Sequence, residues 1–280
     1  MIPALSTHLF VNHRLTNVML EKIHAAGFQR VEIFCARQHL DYRNPAQVGE
    51  LRHWFRDSPL KLHSLHMPMY TDEVWGRTGP NAVVNIAETD KYKRIASVDE
   101  IKRALEVAEQ IPCNFAIQHL GVGGEEFDER KLEAAFSSME ELNLFAGQRG
   151  VEVLLENIPN HLSSAERLNY FLSITHLDNG FCFDTGHAHI HVGVEHEFGL
   201  MKERIRSTHI HDNDGANDIH LFPFLAEGGT IDWKQAMKLL RSRPGQYPML
   251  LELREAAGME PLLDKAADVR ERLADLGHRE

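Results

Sequence analysis

Short runs rich in Ile, Val, Leu and Phe alternate with longer amphipathic stretches along the whole chain, and this alternation constrains the fold more than any motif does. Eight runs have strand character, at 3–7, 30–35, 61–66, 114–120, 151–156, 180–184, 207–211 and 248–253. Several are apolar on both faces, as strands covered by helices should be. Between them, Leu132, Ala135, Phe136, Met139, Leu142 and Ala146 keep a single helical stripe. Ser97 with Glu100 and Ser163 with Glu166 have the capping-box spacing that opens a helix, and Asp232 with Gln235 marks a further start. Helices are expected around 16–26 and 261–276, packed on one another. Strict alternation of this kind predicts a parallel sheet. Eight such units in 280 residues predict an α/β fold, a (β/α)8 TIM barrel spanning 1–280 as a single domain. No G-x-G-x-x-G follows a strand, which argues against an open dinucleotide-binding sheet. The two long connections, 67–96 and 212–231, would lie at the C-terminal mouth, where barrel active sites are built.

Composition narrows the partners. Thirty Lys and Arg against 41 Asp and Glu give a net charge of −11. Such a surface disfavours nucleic acid and anionic membranes, although a local basic groove leading to the pocket would reopen the nucleic-acid case. The opening MIPALSTHLF lacks a charged n-region and a sustained apolar stretch, and no apolar run is long enough to span a bilayer. Cys35, Cys113 and Cys182 are odd in number, far apart and in apolar runs, so they read as buried reduced thiols. A cytoplasmic location and no membrane partner are expected. The unusual count is 18 histidines, the residue most often used as a metal ligand.

Polar residues collect where the apolar runs end. His66 closes HSLH, His119 closes FAIQH, Glu156 closes VLLE, and Asp184 and His187 form D-T-G-H. His209 and His211 lie in THIHD, Asp218 and His220 form D-I-H, and Glu252 stands in LLEL. Any one of these has a bland reading: a satisfied core histidine, a helix cap for Asp184, an ion pair with Arg254 for Glu252. Six consecutive strands repeat the arrangement at the face where barrel side chains converge, and a carboxylate is costly to bury unless a cation meets it. Imidazole and carboxylate donors without Cys suit Zn, Mn, Fe or Co better than Ca. Tyr70, Trp75 and Tyr92, in the third connection, are candidates for an aromatic wall over the site.

Taken together, LLENIPN, FCFDTGHAH, HIHDNDGANDIH with EGGTIDW, and LLELRE resemble the xylose-isomerase-like barrel superfamily, and the resemblance runs from the first strand to the eighth. That superfamily includes sugar isomerases, epimerases and the endonuclease IV type of abasic-site nuclease. In the isomerase branch one divalent metal is held by Glu, Asp, His and Glu, which implies Glu156, Asp184, His209 and Glu252 here. His211 satisfies the same spacing to an acidic residue and is the alternative to His209, or a substrate contact. The nuclease branch holds three zinc ions on nine ligands. The resemblance implies His66, His119 and Glu156 for one, Glu156, Asp184, His209 and Glu252 for a second, and His187, Asp218 and His220 for a third. One to three metals per chain are therefore expected.

Two activities follow from the resemblance. The first is a metal-dependent isomerase or epimerase acting on a small sugar, polyol or sugar phosphate by proton transfer through an enediolate. Glu156 and Glu252 would move the proton, and His187 would bond a substrate oxygen. Glu32, His211, Arg254 and Trp75 are the expected substrate contacts. The second is a two- or three-metal phosphoesterase of the endonuclease IV type. The acidic charge and the short loop after the second strand, ARQHLDYRN, favour a small carbohydrate or phosphorylated substrate over duplex DNA.

Overall fold

Side-chain caps set where most of the helices begin. The computed structural model describes residues 1–73, 82–243 and 245–276. Its helices are α1 (Asn17–Ala25), α2 (Pro45–Asp57), α3 (Lys91–Leu105), the short α4 (Val107–Gln110), α5 (Glu129–Gly147), α6 (Ala165–Ser173), α7 (Thr185–Ile190), α8 (Val194–Met201), α9 (Trp233–Arg241) and α10 (Leu262–Asp275). Thr16, Asn44, Asp90, Asp128, Ser164 and Asp232 each accept a backbone N–H from the turn that follows, satisfying donors the helix leaves open.

The strands are β1 (Pro3–Ser6), β2 (Arg30–Phe34), β3 (Lys61–His66), β4 (Phe115–His119), β5 (Glu152–Glu156), β6 (Phe181–Asp184), β7 (Ile205–His209) and β8 (Met249–Leu251). Their order is β7-β6-β5-β4-β3-β2-β1-β8, with every pair parallel. The barrel closes just past β7, where Ile210 bridges Leu251: its N–H donates to Leu250 (2.9 Å) and its carbonyl accepts from Glu252 (3.1 Å). This is the TIM-barrel fold. The core lies between sheet and helices, where the buried stripe of α9 (Trp233, Ala236, Met237, Leu240) is typical. Among the described residues no helix is long and apolar enough to cross a membrane.

Three local expectations need correction. Ser97 does not open a helix, because α3 starts six residues earlier on the Asp90 cap. Tertiary partners have taken the supposed capping pair: Ser97 Oγ accepts the Asn85 N–H (3.0 Å), and Glu100 receives the Tyr42 hydroxyl and two guanidinium groups, those of Arg43 and Arg103. The helix of the second box is capped by Ser164, while Ser163 Oγ donates to the Leu120 carbonyl (2.6 Å). Strands seven and eight end at His209 and Leu251, earlier than expected, because only the single Ile210 bridge joins them.

Candidate metal centre

Parallel strands deliver their last residues to one face, and here those residues are His66, His119, Glu156, Asp184 and His209. Glu252 follows β8 by one residue, His187 comes from the first turn of α7, and Asp218 and His220 come from the 212–231 loop. Among the described residues the side chains converge into four groups whose ligand atoms lie within 4.8 Å of one another: His66, His119 and Glu156; Glu156, Cys182 and His209; Glu156, Asp184, His209 and Glu252; and His187, His211, Asp218 and His220. Glu156 belongs to the first three. His209 and His211 thus serve different groups, and His211 joins the one from which the sequence reading had left it out.

The imidazoles are oriented by backbone. A carbonyl can only accept, so each ring nitrogen facing one carries the proton. This holds for Nδ1 of His66 toward Met67 (3.0 Å), of His187 toward Asn157 (2.9 Å), of His211 toward Asp212 (3.3 Å) and of His220 toward Glu252 (3.0 Å). In every case Nε2 then lies near a carboxylate oxygen: His66 near Glu156 (3.5 Å), His187 near Asp218 (3.2 Å), His211 near Asp184 (3.1 Å) and His220 near Asp218 (3.1 Å). In the neutral ring this sets a lone pair against an anionic oxygen. A cation must separate them, either a second proton on the ring or a metal ion bound by both partners. Fixed carbonyl acceptors behind ligand imidazoles are a regular feature of metal sites, and the residues fit a divalent ion.

Without a metal a proton takes that place at His187 and His220. Burial alone would lower His187, but Asp184 and Asp218 outweigh it and push it up to about 10. His220, opposed by burial, is raised by Asp218 to about 9. Burial would raise Glu156, yet His209 and the bonds from His119 and His209 hold it well below the usual carboxylate range.

The remaining expected residues are spread over different depths. Glu32 is fully buried in mid-strand, where it accepts from Ser64 Oγ (2.7 Å) and lies 3.2 Å from His209 Nε2. It supports His209 from inside the barrel instead of facing the mouth; burial would raise its carboxyl, but His209 holds it at about 2. Arg254 lines the mouth cavity of about 190 Å³ with Tyr70, Phe34 and His8. Tyr92 is 86% exposed on the first turn of α3 and forms no wall over that cavity. Trp75 lies outside the described residues.

Several residues that shape the site escaped the sequence reading. His8, just past β1, donates from Nδ1 to Leu253 (3.1 Å), and its ring centre lies 4.8 Å from that of His220. Asn157 clamps β6 by accepting the Asp184 N–H (2.8 Å) and donating to the Asp184 carbonyl (3.0 Å). Asp212 latches the long loop: its Oδ1 accepts N–H groups of Asn213 (2.8 Å), Thr230 (3.0 Å) and Ile231 (3.1 Å), while Oδ2 accepts Trp233 Nε1 (2.6 Å). Gly229 lacks a side chain for the same reason, since a Cβ there would sit 2.6 Å from Asp212 Oδ2. The HDN and GGTIDW motifs held this signal, but only folding brings their two halves together.

Comparison with known proteins agrees with this architecture. An uncharacterized protein of Sinorhizobium fredii, y4fM, is 25% identical over 225 residues, covering 74% of this chain and 71% of that one. The crystal structure of a D-tagatose 3-epimerase-like protein superposes with a TM-score of 0.76 at 22% identity, covering 99% of this chain and 97% of the other. The structure of IOLI protein with a binding zinc atom superposes with a TM-score of 0.75 at 16% identity, covering 99% and 98%. The sequence model described as xylose isomerase-like TIM barrel matches residues 20–276, and the chain belongs to that family.

Proposed function

We propose that this protein is a divalent-metal-dependent isomerase or epimerase acting on a small sugar, polyol or sugar phosphate. The observation that carries the reading is the convergence of Glu156, Asp184, His209 and Glu252 within 4.8 Å, beside a mouth cavity of only about 190 Å³. The similarity to a protein named as D-tagatose 3-epimerase-like and to a zinc-bound IOLI protein supports it. A divalent ion held by those four residues supplies Lewis acidity toward a substrate oxygen. The protein's own groups do the rest. Glu156 and Glu252 flank His209 Nδ1 at 2.8 and 3.2 Å, so one takes a proton from carbon while the other returns it. His187, when protonated, donates from Nε2 to a substrate oxygen, and Arg254 meets a hydroxyl or phosphate at the rim.

The test is deuterium exchange from D2O into a panel of ketoses and sugar phosphates with metal-loaded enzyme. Exchange at a carbon next to the carbonyl is expected, with Glu156→Gln and Glu252→Gln each reducing it at least about a hundredfold. The group formed by His187, Asp218 and His220 is more than a single-metal epimerase needs, and it favours a second reading, a multi-metal phosphoesterase acting on a small ester. Hydrolysis of bis(p-nitrophenyl) phosphate with no exchange in any sugar would replace the first reading with the second.

A further inference from the structure

The opposite, N-terminal face of the barrel carries a larger hollow than the mouth, about 850 Å³, between β2, β3 and α2. Arg30, Arg52, Arg56 and Lys61 line it. An adjoining hollow of about 530 Å³ shares Arg30, His63 and Asn114 and adds Arg206. Among the described residues no Asp or Glu lines either hollow, although the chain as a whole carries a net charge of −11. The nearby acids are engaged elsewhere or pair with one member only. Asp57 pairs with Arg56 (3.0 Å), Glu152 accepts the Gly180 N–H (3.2 Å), and Glu203 pairs with Arg243.

Lys61, Arg206 and Arg30 are held by neutral groups. Lys61 Nζ donates to the Ser58 carbonyl (2.9 Å), and Arg206 donates to the carbonyl of Ile205 (3.1 Å). Half-buried Arg30 lies 3.4 Å from Nδ1 of His63. The ring accepts there, because burial pushes His63 down to about 4 and leaves it uncharged at neutral pH. Buried or half-buried cations are ordinarily matched by an anion. Phe55, Leu62 and Ile111, all buried, form an apolar floor beside them.

We propose that this basal hollow is a binding site for a small phosphorylated molecule, separate from the metal centre. Arg30, Arg52, Arg56 and Lys61 hold the phosphate, guanidinium groups matching its oxygens in pairs, and the apolar floor takes the uncharged part of the ligand. The inference stands whichever reaction the mouth performs.

Calorimetric titration of the full chain with inorganic pyrophosphate, at constant ionic strength, tests it. Saturable binding is expected, weakened about tenfold or more by Arg30→Gln with Arg52→Gln and changed less than about twofold by His220→Ala at the mouth. Arg56→Gln with Lys61→Gln, at exposed positions, should weaken binding likewise and covers the case in which the Arg30 variant does not fold. Unchanged affinity in folded basal variants would overturn the proposal. So would loss of all binding in His220→Ala, or tighter binding of a short single-stranded oligonucleotide than of pyrophosphate.

Discussion

Replacing Asp212 should unfasten the loop that carries Asp218 and His220, and the cost can be worked out bond by bond. The carboxylate is 3% exposed and takes four N–H donors, three on Oδ1 and the Trp233 indole on Oδ2. Asp212→Asn keeps an oxygen for the three backbone donors but turns an amide N–H2 toward the buried indole N–H. One buried donor then goes unmet, at about 2 kcal/mol. Asp212→Ala strands all four; with water reaching the exposed Thr230, the loss is on the order of 5 kcal/mol. Trp233→Phe removes the conflicting donor, so Asp212→Asn should cost about 1–2 kcal/mol less in that background than alone. Urea unfolding followed by circular dichroism measures the wild type, the single variants and the double variant. A wild-type midpoint for Asp212→Asn, or an undiminished cost in the Trp233→Phe background, would refute the latch.

Two further outcomes follow from the packing and the buried histidines. Gly186→Ala would place a Cβ 2.1 Å from Cε1 of His211, whose ring stacks on His220 at 3.8 Å, so any ion bound by that group should be lost while the barrel stays folded; metal content and a thermal melt would show it. Burial lowers His39 and His63 to about 4 in the folded state. An unfolded histidine binds its proton near pH 6.5, so between about 6.5 and 4 the unfolded chain holds more protons and stability rises with pH. Each should contribute on the order of 3 kcal/mol above pH 6.5 that is lost as pH falls toward 4. His63→Gln should flatten part of that slope, and a flat profile in the wild type would contradict the assignment.

The barrel was legible because its signal is local and repeated. Every strand run alternates with an amphipathic helix, and the residues closing those runs meet through topology alone. What stayed hidden depends on contacts between distant segments. The serine at 97 has capping-box spacing, yet its hydroxyl serves Asn85 while Asp90 caps the helix. Glu32 reads as a substrate contact until the barrel closes and sets His209 against it. His8 lies in an unremarkable THLF, and only the meeting of β1 with β8 brings it to His220. Asp212 and Trp233 are 21 residues apart, and no periodicity links a carboxylate to an indole across a loop.

Metal content of the purified chain, after loading with zinc or manganese and exhaustive buffer exchange, tests the central claim most directly. The lone pairs that face carboxylates predict at least one tightly held ion per chain, reduced by Glu156→Gln. Asp218→Ala should remove one ion and leave any held by Glu156, Asp184, His209 and Glu252. A folded wild-type chain that retains no divalent ion would contradict the account.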